Sequence, residues 1–201
     1  MKLFVTGIGT EVGKTVIAAI LTEKLKADYW KPVQAGDLDY SDTMKVRALV
    51  SNSVSVFYEE GFRLNHPMSP HAAAERDGIE IRLGDFEMPQ TENHLVIEGA
   101  GGLMVPLNDK DCVIDLIEGS GAEVVLVSRN YLGSINHTLL SIEALKSREI
   151  PVRGVIFNDE ENTETESVIL KMTGLKCLGR VGLLNELTQE AIAKCGEAIK
   201  L

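Results

Sequence analysis

The sequence predicts a single α/β domain over residues 1–201, a mostly parallel sheet with helices on both faces. Three observations carry this reading. Short apolar runs alternate with helically spaced segments along the chain. The run Val124-Val125-Leu126-Val127 has no polar interruption, as in strands buried on both faces. A glycine-rich turn, Gly7 to Gly13, separates the first apolar run from the first helical pattern. With 201 residues, 44% hydrophobic and 25% charged, the chain is long enough for one core without staples and too apolar for disorder.

Each element follows from its own pattern. Leu3-Phe4-Val5 is a strand. Residues 14–26 place Val16, Ile17, Ile20, Leu21 and Leu25 at helical spacing. Residues 28–33 read as a second strand and 39–50 as a helix. Leu95-Val96-Ile97 is a buried strand, stopped by Gly99-Ala100-Gly101-Gly102. Residues 123–127 are a strand, 135–147 a helix and 152–157 a strand. Helices at 164–172 and 187–199 close the chain, with a short strand near Leu178. Residues 58–92 carry Pro67, Pro70, Gly78, Gly84 and Pro89, and read as loops and short helices. Right-handed crossovers would bring the strand C-terminal ends to one edge, where such sheets bind ligands.

The net charge of −10 argues against a nucleic-acid or anionic-membrane binder, since phosphates would be repelled. Cys112, Cys177 and Cys195 have no CxxC spacing and no nearby histidine. They read as reduced thiols, not a zinc site or a disulfide framework. Histidines 66, 71, 94 and 137 show no metal-ligand spacing. The start of the chain breaks at Gly7, too early for a signal peptide, and no apolar run reaches a membrane span. The expected localisation is cytoplasmic.

Gly7-Ile8-Gly9-Thr10-Glu11-Val12-Gly13-Lys14-Thr15 follows a strand and opens a helix, the context of a phosphate-binding loop. The fold is therefore P-loop NTPase-like. The common pattern wants glycine at position 8, where Ile8 stands between two glycines. Lys14 would reach the terminal phosphates and the Thr15 hydroxyl would bind Mg²⁺. Glu98 ends a strand before four small residues, a place for a carboxylate that holds Mg²⁺ or its waters. Lys31 precedes Pro32 at the end of the second strand and would point into the same crevice. Alone, it reads better as a solvated lysine beside a turn. Asp42 in Ser41-Asp42-Thr43 is a second metal ligand or a first-turn acid; spacing leaves both open.

Taken in order, several segments resemble the dethiobiotin synthase family. They are residues 10–15, Lys31-Pro32-Val33-Gln34-Ala35-Gly36, Ser69-Pro70-His71, Glu98-Gly99-Ala100-Gly101-Gly102, Leu132-Gly133-Ser134-Ile135-Asn136-His137 and Asn158-Asp159. The resemblance implies an ATP-dependent ligase that closes the ureido ring of dethiobiotin from 7,8-diaminopelargonic acid and CO₂. It implies Mg²⁺ and a homodimer. It assigns Lys31 to the carbamate and transferring phosphoryl group, and Lys14 to the β/γ-phosphates. Gly9, Thr10, Glu11, Val12, Gly13, Thr15 and Val16 would surround the nucleotide, and Asn158 would meet the adenine base. Thr15, Asp42 and Glu98 would hold Mg²⁺. Ala35 would lie beside the substrate, and Gly133 and Asn136 would meet the substrate tail across the dimer interface. Two departures stand out. Ala35 occupies a position where many members carry serine or threonine. Val181-Gly182-Leu183 replaces a proline-containing loop beside the base, which bears on base selectivity. The alternative is a switch or partitioning ATPase of the related phosphate-loop class.

Overall fold

The computed structural model describes residues 1–201. Six parallel strands form one sheet: β1 (Lys2–Gly7), β2 (Asp28–Trp30), β5 (Leu95–Gly102), β6 (Glu123–Arg129), β7 (Val152–Asn158) and β8 (Cys177–Val181). Their spatial order is β2-β5-β1-β6-β7-β8. A second, two-stranded parallel sheet pairs β3 (Val33–Ala35) with β4 (Phe62–Leu64). The expected parallel α/β architecture is present.

The sheet lies in the core because its central strands carry unbroken apolar stretches. Leu3, Phe4 and Val5 of β1 and Val124 to Val127 of β6 are fully buried. Each such side chain contributes about 1.5–3 kcal/mol on leaving water. Helix α1 (Lys14–Leu25) packs with α2 (Asp42–Leu49) and α7 (Gln189–Ala198). Helix α5 (Ser134–Ser147) packs with α6 (Thr163–Thr173) over the other face. Strands β5 and β6 flank β1, so crossovers leave β1 in opposite directions. The crevice at its C-terminal end is the switch point where α/β sheets take ligands.

Several boundaries differ from the sequence pattern. Residues 28–33 are not one strand: β2 ends at Trp30, and Pro32, which has no N–H to give a ladder, separates it from β3. The helix expected at 39–50 splits into a 3₁₀ turn at Leu38–Tyr40 and α2. Ser41 caps α2, accepting from the Met44 N–H at 3.4 Å. The glycines after Glu98 do not stop β5, which runs on to Gly102 beside β1. Glu98 is thus inside the strand rather than at its tip. The irregular stretch contains β4 and helix α3 (Pro70–Asp77).

Helix α4 (Val113–Ser120) has no counterpart in the sequence reading. Its signals were present: Asp115 accepts the Cys112 N–H at 2.6 Å, closing a capping box, and Gly121 ends the helix at φ +62°.

Candidate active site

The loop between β1 and α1 explains why Ile8 replaces the usual glycine. The Ile8 N–H donates to Val127 O at 3.1 Å and its side chain is buried, so this residue is tied to β6. The glycine requirement falls on its neighbour: a Cβ on Gly7 would meet Val12 Cγ2 at 2.4 Å. Glu11 and Gly13 are both left-handed, at φ +56° and +94°. This turns successive amides toward one side, as in an anion-binding nest. Ile17 N–H donates to Gly13 O at 3.0 Å. The amides of Lys14, Thr15 and Val16 precede it and lack an intrahelical partner. They face a cavity of about 780 Å³.

That cavity brings together residues distant in sequence. Thr10, Glu11, Gly13, Lys14, Thr15, Val16, Lys31, Ala35, Asp42 and Glu98 all line it. Strand β2 delivers Lys31 just past its end. The first turn of α2 delivers Asp42, and β5 delivers Glu98. Asp42 is therefore both a first-turn acid and a site residue. The far wall comprises Pro67 to Pro70, including the Ser69-Pro70 pair.

A charge network fills the floor. Lys31 Nζ lies 2.8 Å from Asp42 Oδ2 and 3.1 Å from Glu98 Oε1. Thr15 Oγ1 donates to Glu98 Oε1 at 2.8 Å, and Tyr29 OH donates to Glu98 Oε2 at 2.8 Å. Lys45 Nζ reaches Asp42 Oδ1 at 3.1 Å. Gln34 accepts the Asp42 N–H at 3.1 Å and donates to Gly36 O at 2.9 Å, fixing the start of α2 against β3. Lys14 Nζ donates to Gly9 O at 2.8 Å, folded back over the loop.

The environments set the protonation states. Burial of Lys31 opposes its charge, but Glu98 and Asp42 outweigh this, and its pKa is raised. Lys31 therefore stays an ammonium at neutral pH and is a cation, not a base. Burial opposes the charge of Asp42 as well, yet the Lys31 ammonium holds its carboxyl below the usual range. Burial lowers Lys14 to about 8, with Glu98 pulling the other way and Lys31 adding repulsion. Burial and the Glu98 charge push the Tyr29 phenol well above 10, so it remains a donor.

Other expected site residues lie elsewhere. Gly9 and Val12 back the loop and line a second cleft of about 500 Å³ with Arg129, Tyr131 and His137. Asn158 lines neither; its Nδ2 donates to Val12 O at 2.9 Å, so it braces the phosphate loop. Gly133 and Asn136 stand at the start of α5, outside the large cavity of their own chain. Gly182 has open space around it.

Sequence reasoning missed Tyr29, Gln34 and Lys45. Period two on an extended strand puts Tyr29 on the same side as Lys31. Period three on a helix puts Lys45 beside Asp42. Both signals were available once Lys31 and Asp42 were suspected.

Comparison with known proteins identifies the family. A family profile described as an AAA domain matches residues 1–191. The chain is 61% identical to the ATP-dependent dethiobiotin synthetase BioD of Christiangramia forsetii, covering 89% of this chain and 86% of that protein. It belongs to the dethiobiotin synthetase family. The protein of the same name from Cytophaga hutchinsonii is 50% identical over 100% of this chain and 96% of its own. Among solved structures, the septum site-determining protein MinD of Pyrococcus horikoshii has a TM-score of 0.62 at 13% identity, covering 98% of this chain and 95% of that one. The Pyrococcus furiosus cell division ATPase MinD gives 0.58 at 12% identity, covering 98% and 97%. At such identities the likeness is one of fold. Membership in the synthetase family decides against the partitioning-ATPase alternative.

Proposed function

We propose that this chain carries out ATP-dependent dethiobiotin synthesis, carboxylating 7,8-diaminopelargonic acid and closing its ureido ring. The observation that carries this is Lys31, held in one cavity with Lys14 and the loop amides, in a chain 61% identical to a dethiobiotin synthetase. An amine nitrogen of the substrate attacks CO₂ and loses a proton, giving a carbamate. A carbamate oxygen attacks the γ-phosphorus and ADP leaves. The second amine then attacks the carbamoyl carbon of the mixed anhydride, and phosphate departs.

The residues suit these steps. Carbamate and triphosphate are both anionic, so the site must supply positive charge and alignment more than proton transfer. Lys31, permanently charged, would face the carbamate and the transferring phosphoryl group. Lys14 would leave Gly9 O for the β/γ-phosphates, while the amides of residues 13–16 hold the phosphate oxygens. Ala35 would border the diamine without a hydroxyl contact. Asn158 would keep its contact with Val12 and border the base.

Mg²⁺ belongs to the same proposal. No three His, Cys, Asp or Glu side chains converge to hold a metal anywhere in the chain. The candidate set is instead the Thr15 hydroxyl with the Asp42 and Glu98 carboxylates, all oxygen donors, which suits a hard divalent cation that retains waters and phosphate oxygens. Lys31 now supplies the positive charge that these carboxylates require. When bound with nucleotide, the cation would neutralise charge on the phosphates.

We place a homodimer interface at the start of α5. Leu132 is fully exposed, and Ile135 and Leu140 are exposed beside it. This apolar patch adjoins Gly133 and Asn136, which would meet the substrate tail bound mainly by the partner. Residues 1–201 act as one domain in this reading. No helix is long and apolar enough to cross a membrane, and we place the enzyme in the cytoplasm.

The test is ADP release with MgATP and bicarbonate, with and without the diamine, alongside mass detection of the cyclic urea. Coupled ADP and urea formation supports the reading. Nucleotide binding without diamine-dependent turnover refutes it.

A further inference from the structure

We infer that Tyr29 is a positioning residue for Glu98: its hydroxyl fixes one carboxylate oxygen so that the other is presented to Thr15 and Lys31. The division of labour is visible in the contacts. Glu98 Oε2 receives the Tyr29 hydroxyl at 2.8 Å. Glu98 Oε1 receives Thr15 Oγ1 at 2.8 Å and Lys31 Nζ at 3.1 Å. A glutamate's terminal torsion is soft and roughly two-fold, so a carboxylate held at one oxygen alone can still tilt. Donors on both oxygens define its plane.

Tyr29 is built to be the rigid partner. It is fully buried in β2, and it pairs with Val96 of β5, two residues before Glu98. Its backbone N–H donates to Val56 O at 2.9 Å, and its carbonyl accepts from the Tyr58 N–H at 3.0 Å. Its ring lies 6.3 Å from that of Phe57. Thr15 and Lys31, by contrast, face the cavity. Tyr29 does not line the cavity, so any effect it has on the reaction passes through Glu98. Groups that orient a metal-binding carboxylate usually change metal affinity or activity about 10- to 100-fold when lost.

This rests on the assignment of Glu98 to the cation site, and the test separates the two. Mn²⁺ affinity for the enzyme–ADP complex is measured by electron paramagnetic resonance in wild type, Tyr29→Phe, Glu98→Gln and the double variant. Tyr58→Phe is the control. Its hydroxyl lies 3.4 Å from Asp28 Oδ2, so the same atom is removed from a partly buried network away from the cavity. ADP affinity without metal and thermal melting are recorded for each.

The expected result is Mn²⁺ binding about tenfold weaker in Tyr29→Phe, with metal-free ADP affinity and the Tyr58→Phe control unchanged. Adding Tyr29→Phe to Glu98→Gln should cost nothing further. A rise in the Mg²⁺ concentration for half-maximal turnover should accompany the loss. Tyr29→Phe that binds Mn²⁺ like wild type, while Glu98→Gln does not, overturns the role of Tyr29 alone. Unchanged Mn²⁺ binding in Glu98→Gln overturns the cation-site assignment and this inference with it.

Discussion

Replacing Lys31 by methionine removes a cation while keeping most of the side-chain length. Lys31 is 4% exposed and Glu98 1%, and the ammonium bridges Glu98 and Asp42. Its loss leaves the buried Glu98 carboxylate without its counter-ion, beside the partly exposed carboxylate of Asp42. Breaking a buried pair by removing one partner costs about 3–5 kcal/mol. For a domain of this size that corresponds to a fall in melting temperature of roughly 6–20 °C. The pH dependence has a definite sign. Asp42 has a depressed pKa, so its pairing is fully stabilising above the unfolded value of 3.8 and is lost as pH falls through the folded pKa. Lys31 has a raised pKa, so its contribution is full below 10.5 and is lost as pH rises through the folded pKa. The penalty should be greatest between these limits and shrink on acidification. Added Mg²⁺ should restore more stability to Lys31→Met than to wild type, because a cation can replace the ammonium between the carboxylates. Thermal melts across pH, with and without Mg²⁺, measure both effects. Product formation should vanish while ADP still binds. Equal melting of the two proteins at every pH, or retained urea formation, would refute the reasoning.

Four further outcomes follow. Gly13→Ala should abolish ADP binding in calorimetry, because Gly13 sits at φ +94° and a Cβ would lie 2.2 Å from Asn158 Nδ2. Ala35→Ser should fold and retain turnover within a few-fold, since Ala35 borders the cavity and the change adds a single hydroxyl there; collapse of activity would mean a differently shaped site. ADP affinity of the metal-free enzyme should weaken as pH rises past about 8, where Lys14 loses its proton. The same shift means that charged Lys14 opposes folding below about 8, and that this penalty is relieved as pH rises toward 10.5. Leu132→Asp should shift sedimentation toward the monomer and lower turnover without changing ADP affinity, as the side chain is fully exposed in the single chain.

The parallel architecture was legible because its evidence is local. Val124 to Val127 announce a strand covered on both faces, and the glycine-rich turn between β1 and α1 announces its ligand. The boundaries that moved did so for tertiary reasons. The small-residue run 99–102 reads as a stop, yet β5 continues because β1 accepts those residues close to its own backbone: a Cβ on Gly102 would lie 3.3 Å from Gly7 O. Helix α4 lay unread despite its capping box, since Cys112 is a weak cap by composition and the segment is short. At the site, Lys31, Asp42 and Glu98 were legible as types at strand and helix ends, and the family resemblance grouped them around one phosphate and cation, but their spacing alone did not show the convergence. That requires the crossover placing β5 between β2 and β1, which no spacing encodes. Asn158 shows the reverse case. The motif match anticipated a base contact, and the structure adds a bracing bond to Val12 O at 2.9 Å that a motif cannot show.

The fold likeness to septum-site and cell division ATPases and the identity to dethiobiotin synthetases are compatible, because they concern different atoms. A likeness at 13% identity reflects the sheet order, the crossovers and the loop before α1. These fix where a nucleotide's phosphates sit, since loop amides and the start of α1 are consequences of backbone path. They do not fix what meets the γ-phosphorus. In this chain that is decided by three short features around the crevice. Pro32 interrupts the edge strand and leaves Lys31 at the end of β2 as an inward cation. Gln34 holds the Asp42 amide and so sets the first turn of α2. Glu98 sits inside β5 with small residues beyond it. Under the proposed function they would surround the transferring phosphoryl group with a fixed positive charge and a pair of oxygen ligands, an arrangement suited to an anionic nucleophile such as a carbamate. A carbamate and a phosphate both carry negative charge, so a fixed cation between them lowers the repulsion that opposes attack. A buried lysine opposite the phosphate loop therefore suits an anionic nucleophile, and Lys31→Met should abolish diamine-dependent urea formation while ADP still binds.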